Sequence, residues 1–183
     1  MKVLVAYATK HDSTKGIATF IAEKLRQLGL EADVLDVRSA SNLGAYDAFV
    51  IGSAVYTLHW MNEAHEFISK NRKILLGRPV WLFSSGPLGT STKNAQGRDL
   101  RDVSGPREIG KLRQAVNPRN HRVFYGALDR AKLSFGQRMM LKMPAAREDL
   151  SEGDFRNWKE IEEWTIGIAQ ELKTAVAAVA TLR

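Results

Sequence analysis

Val3-Leu4-Val5-Ala6-Tyr7-Ala8-Thr9-Lys10-His11-Asp12-Ser13-Thr14-Lys15 is the stretch that decides how this chain is read. Val3 to Ala6 is a continuous apolar run, the pattern of a strand buried on both faces, and it gives way to a hydroxyl-rich polar loop. Beyond the loop Ile17, Ile21, Leu25 and Leu28 recur on one helical face, with Gly29 placed as the stop. A buried strand, a polar loop and an amphipathic helix in that order open a parallel α/β sheet.

The same alternation continues downstream. Ala32 to Val37, Ala48 to Ser53 and Val80 to Ser84 read as the second, third and fourth strands, and a helix over about Asn62 to Leu75 carries Phe67 and Ile68. A stretch rich in Gly, Ser, Thr and Asn precedes a helix over Glu108 to Ala115 and a strand over Arg122 to Tyr125. The last helix begins near Asp154 and sets Trp158, Ile161, Thr165, Ile168, Leu172 and Val176 on one face. The pattern predicts a doubly wound, five-stranded parallel sheet with helices on both faces. Residues 1–183 form one domain in this reading, with 128–153 as an insertion before the last helix.

Composition agrees with one packed domain: 183 residues, 44% apolar and 26% charged. With no cysteine, disulfides, iron–sulfur clusters, thiolate zinc sites and a cysteine nucleophile are excluded, so redox chemistry needs a bound cofactor. The opening apolar run is too short for a signal peptide, and nothing approaches the roughly 20 apolar residues of a membrane span. A cytoplasmic location is expected. The net charge of +7 is regional, since Arg98 to Arg147 holds twelve Lys and Arg against Asp99, Asp102, Glu108 and Asp129. Such a stretch is either a solvated basic face or a patch for an anionic partner. It lacks a nucleic-acid reading motif, so no nucleic acid is expected.

In an open parallel sheet the ligand lies beyond the carboxyl ends of the strands. Three loops leave such ends. In Thr9, Lys10, His11, Asp12, Ser13 and Thr14, the hydroxyls and free amides at a helix N-terminus suit a monophosphate, unless Ser13 or Thr14 only caps the helix. Closely spaced glycines of a diphosphate loop are missing. In Ser53, Ala54, Val55, Tyr56 and on to Trp60, two aromatics leave a buried strand; they flank a planar heterocycle, or Trp60 packs back onto the domain. In Ser84, Ser85, Gly86, Pro87, Leu88 and Gly89, the glycines let backbone approach a flat ring, although Gly-Pro also marks an ordinary turn. His11 and His59 sit on these loops, whereas His65 and His121 read as structural or exposed.

These residues carry a resemblance over nearly the whole chain. Val3 to Thr14, Ile51-Gly52-Ser53 through His59-Trp60, Phe124 to Leu128, the basic insert with Met139 to Met143, and Asp154 to Trp158 resemble the flavodoxin fold. Within it, the chain most resembles the menaquinone-dependent protoporphyrinogen oxidase family. The resemblance implies a flavin mononucleotide (FMN) oxidoreductase that passes electrons from a protoporphyrinogen-like small molecule to a quinone acceptor, as in haem biosynthesis. In it Thr9, Ser13 and Thr14 hold the phosphate, Trp60 and Tyr56 flank the ring, Ser84 to Gly89 contact its edge, and His59 donates a proton. The alternative is an electron carrier, or a protein that binds the deazaflavin F420 through Lys10, Lys15 or the insert. Asp12 departs from the family pattern, which has glycine there; Asp tolerates left-handed backbone but repels a phosphate unless its side chain turns away. The family's usual electron carriers are acidic and this chain is basic. In the insert, Leu133, Phe135, Met139, Met140 and Met143 share one side of a short helix beside Lys132, Arg138 and Lys142. That side either makes a peripheral membrane contact through 128–147, where quinone dissolves, or completes the core.

Overall fold

The computed structural model describes residues 1–129, 131, 133 and 152–181. Five parallel strands form the sheet: β1 (Lys2–Ala8), β2 (Glu31–Asp36), β3 (Ala48–Tyr56), β5 (Val80–Ser85) and β6 (Asn120–Phe124), ordered β2-β1-β3-β5-β6. The two-residue β4 (His59–Trp60) folds back antiparallel on the end of β3, pairing Val55 with Trp60 and Tyr56 with His59. A separate ribbon joins β7 (Ala127–Leu128) to β8 (Gly153–Asp154). Neither of these short pairs has enough alternating residues to be legible in the sequence.

Helix α1 (Ser13–Gln27) and the closing helix α6 (Trp158–Thr181) cover one face of the sheet. Ile17, Ile21 and Leu25 meet Val3, Val5, Trp81 and Phe83 there, together with Ile161, Ile168 and Leu172. On the other face α2 (Asn62–Lys70), α3 (Arg72–Leu76) and α5 (Ile109–Val116) pack Phe67, Ile68, Leu75, Leu112 and Val116 against Leu4, Phe49, Ile51 and Leu82. Because neighbouring strand residues point to opposite faces, Val3 and Val5 serve one layer and Leu4 and Ala6 the other. That two-sided burial is why the strands read as unbroken apolar runs. Gly52 is glycine because the ring of Phe83 occupies the space a Cβ would need. The single turn α4 (Leu100–Val103) precedes α5.

Local chemistry moved several boundaries. Helix α1 ends in a Schellman cap: Gly29 has φ 82°, its amide reaches Arg26 O, and the Leu30 amide reaches Leu25 O. The helix expected over 62–75 breaks at Asn71, whose side-chain amide donates to Phe67 O at 2.8 Å. The last helix starts at Trp158, four residues beyond Asp154, because Asn157 Oδ1 accepts the Glu160 amide at 3.2 Å. The fifth parallel strand begins at Asn120, ahead of the expected Arg122. The Met139 to Met143 side of the insert, with Lys132, Phe135, Arg138 and Lys142, lies outside the described residues, as does the Val176 side chain. Leu133, the described member of the insert's apolar set, is buried with Leu128 against Leu88. No helix among the described residues is long and apolar enough to cross a membrane.

Candidate functional site

The loop after β1 turns into α1 through Asp12, which has φ 63° and ψ −2° and is the N-cap. Its left-handed backbone supplies the bend that glycine supplies more cheaply, as expected of an aspartate at this position. Neither Ser13 nor Thr14 caps the helix by side chain, since both lie inside it. Instead Ser13 Oγ accepts the Ala127 amide at 2.9 Å and shares a hydrogen bond with Ser85 Oγ at 3.1 Å. One hydroxyl thus ties α1 to the loops that follow β5 and β6. Gly126 permits the junction, because a Cβ there would lie 3.3 Å from both Ser13 Oγ and Leu88 Cδ2.

These loops enclose a cleft of about 540 Å³ at the carboxyl ends of β1, β3, β5 and β6. It is lined by Thr9, His11, Ser13, Ala54 to Leu58, Ser85 to Leu88, Ser104 and Gly126 to Leu128. One end carries hydroxyls and the first amides of α1, which have no intrahelical acceptor. The rest presents Val55, Tyr56, Leu58, Pro87 and Leu88. The cleft therefore suits a ligand with a flat apolar body and an anionic tail. Thr14 lies outside the cleft lining, fully buried in the first turn of α1, and its Oγ1 has no hydrogen-bond partner, so a polar group seated at this helix start would satisfy it.

Of the residues expected from sequence, Thr9, His11, Ser13, Ala54, Val55, Tyr56, Ser85, Gly86, Pro87 and Leu88 line the cleft. Lys10 lies at its margin, with Nζ 5.0 Å from the Tyr56 ring centroid. Ser53 is buried, donates to Ala54 O and accepts the Met61 amide at 3.0 Å. Gly89 has φ 98° and lies further along its loop, outside the cleft lining.

Trp60 and Ser84 require correction. Trp60 is 3% exposed and belongs to the α2 side of the sheet, with its Nε1 donating to Ser84 Oγ at 2.8 Å. Ser84 also bonds His121 Nε2 at 2.9 Å and is wholly buried. The hairpin of β3 and β4 reverses the chain, so the indole is turned inward, where a buried hydroxyl satisfies its N–H. Tyr56, at 38% exposure, is the ring that faces the cleft.

His59 is corrected as well. It lies outside the cleft lining, and its Nδ1 sits 2.9 Å from Glu108 Oε2. Glu108 also accepts the Trp60 amide at 2.8 Å and bonds His65 Nε2 at 3.0 Å, so it anchors β4 to the start of α5. Burial pushes the Glu108 carboxyl up, but the Trp60 amide and the two imidazoles outweigh it and hold the carboxyl below its ordinary range.

The sequence reading missed Thr57, Leu58, Ser104, Glu108 and Arg156. Thr57 (φ 50°) and Leu58 (φ 63°) are the central pair of a two-residue hairpin turn that usually takes glycine or asparagine, which hid the turn. Arg156 makes a two-point pair with Asp154 through Nε and Nη2, stacks on Trp158 at 4.4 Å and lies over Gly16, where a Cβ would displace it. Its Nη1 donates to Ser13 O at 3.4 Å, beside the polar end of the cleft.

A sheet of this order covered by helices on both faces, with its crevice where the winding reverses between β1 and β3, defines a doubly wound α/β fold. The flavodoxin domain family model matches residues 4–152, and the chain belongs to that family. It is 25% identical over 176 residues to protoporphyrinogen IX dehydrogenase [quinone] of Escherichia coli K12, an alignment covering 92% of this chain and 95% of the relative. An archaeal flavodoxin structure superposes with a TM-score of 0.58 at 15% identity, covering 94% of this chain and 99% of its own. Flavodoxin 2 of Bacillus cereus does so with a TM-score of 0.58 at 20% identity, covering 93% and 99%.

Proposed function

We propose that the cleft holds FMN and that the protein is a flavin-dependent oxidoreductase, taking electrons from a reduced, protoporphyrinogen-like molecule and delivering them to a quinone-type acceptor. The observation that carries this reading is the cleft itself, which joins a hydroxyl-and-amide end at the start of α1 to an apolar, aromatic body. The similarity to the E. coli dehydrogenase over nearly the full length of both chains supports the choice of substrate and acceptor.

In this reading Thr9, Thr14 and the first amides of α1 bind the phosphate, and Ser13 holds the three surrounding loops in register. Lys10 and Tyr56 close the outer side of the cleft. Backbone amides of Ser85 to Leu88 contact the polar edge of the ring, with Gly86 allowing close approach. Bound flavin supplies the two-electron chemistry, and the protein supplies position and electrostatics. His11, the imidazole lining the cleft, takes the proton-carrying role expected of His59.

Mass spectrometry of the small molecule that copurifies is the direct test. FMN at one per chain, followed by protoporphyrinogen-dependent reduction of menaquinone, is the expected result. A protein that binds added FMN but turns over no protoporphyrinogen is an electron carrier. Binding of deazaflavin with no affinity for FMN overturns the cofactor, and no binding of either overturns the reading.

A further inference from the structure

A second cavity, also about 540 Å³, lies apart from the cleft along the outer edge of the sheet. His121, Arg122 and Val123 all line it. Consecutive strand residues point to opposite faces, so the cavity follows the unpaired edge of β6, the last strand in the sheet order. Segment 101–113 forms its other wall. Ser104 lines the cleft and Gly105 lines this cavity, so the two are neighbours across one short stretch of backbone.

Four arginines converge here: Arg101, Arg107, Arg113 and Arg122. Arg101 is committed, donating to both oxygens of Asp99 at 3.0 and 2.6 Å and to Glu160 Oε1 at 2.9 Å. The other three have no carboxylate within ion-pair distance among the described residues. Asp102 is the remaining acid in the lining. Unneutralised guanidiniums around one concavity repel one another, and an anion relieves that repulsion.

A neutral donor sits among them. Burial and the neighbouring Arg113 push the His121 imidazole down to about 4, so it is uncharged at neutral pH. Trp60 Nε1 donates to Ser84 Oγ, which leaves the hydroxyl proton for His121 Nε2 and assigns the ring proton to Nδ1.

We propose that this cavity is a binding site for a small molecule carrying two acidic groups, carboxylate or phosphate, held by Arg107, Arg113 and Arg122 with His121 Nδ1–H as a further donor. The planar forks of arginine suit both oxyanions, and the volume suits a metabolite-sized ligand. The site does not depend on what fills the cleft.

Isothermal titration of the purified full chain with succinate and, separately, inorganic pyrophosphate tests the proposal and separates its two chemistries. Saturable one-to-one binding of at least one probe is expected, and the tighter probe names the acidic group. Arg107→Gln and Arg113→Gln, both exposed and free of structural bonds, should each weaken it about tenfold or more. Flavin content and thermal midpoint should match the wild type. Lys73→Gln, an exposed change on α3, should leave binding unchanged. No saturable binding of either probe at millimolar concentration, wild-type affinity in both arginine variants, or an equal loss in Lys73→Gln overturns it.

Discussion

Tyr56 and Trp60 are four residues apart on one hairpin and have opposite fates. Tyr56 is 38% exposed and faces the cleft, with the Lys10 amine over its ring. Trp60 is 3% exposed and faces the helix layer on the other side of β3, where its indole N–H, the buried Ser84 and the half-buried His121 form one chain of hydrogen bonds. The difference teaches that an aromatic residue in a loop after a buried strand is not by itself a ligand wall. What decides is whether a buried partner can satisfy its polar atom, and Ser84 does so for Trp60.

The sharpest way to break this comparison is Trp60→Ala. It should cost about 3–5 kcal/mol in chemical denaturation, through cavity formation and an orphaned Ser84, while the folded protein keeps its affinity for FMN. Full stability with lost flavin binding would return Trp60 to the cleft. Next in size is the pH response of the same network. His121 holds a folded value of about 4 against an ordinary 6.5, so the folded state binds fewer protons between those limits. The contribution of His121 to stability is therefore complete above about pH 6.5 and is lost as pH drops toward 4, by at most about 3 kcal/mol. Denaturation of His121→Gln across that window should lack this component.

Tyr56→Ala sharpens the other arm. It should change stability by less than about 1 kcal/mol and weaken FMN binding by about 3- to 10-fold, read by quenching of flavin fluorescence. The smallest effect is expected of Asp12→Gly. Glycine relieves the left-handed strain and removes a negative charge beside the proposed phosphate end, so FMN should bind about 2- to 5-fold more tightly with stability altered by less than about 1 kcal/mol.

Much of the cleft was legible because its residues are local. Thr9, His11 and Ser13 follow a strand whose apolar run is unmistakable, and Ser85 to Leu88 follow another. Gly126 to Leu128 line the cleft too; in the sequence they stand out through the family resemblance of Phe124 to Leu128, while no periodicity or motif sets them at the cleft. His59 was misplaced because Glu108, 48 residues beyond Trp60, draws β4 toward α5 through two hydrogen bonds, to His59 and to the Trp60 amide, and holds His65 of α2 through a third. No pattern near His59 announces that carboxylate.

The order of strands and helices, the two buried faces and the polar loop into α1 follow from the sequence alone, because each depends on periodicity and composition over a few consecutive residues. Which way the β3–β4 hairpin turned its rings, and that arginines from α4, β6 and the 104–113 segment surround one cavity, was decided only in three dimensions. Both depend on partners distant along the chain, whose meeting is set by packing of the layers and by buried polar groups that must find a partner.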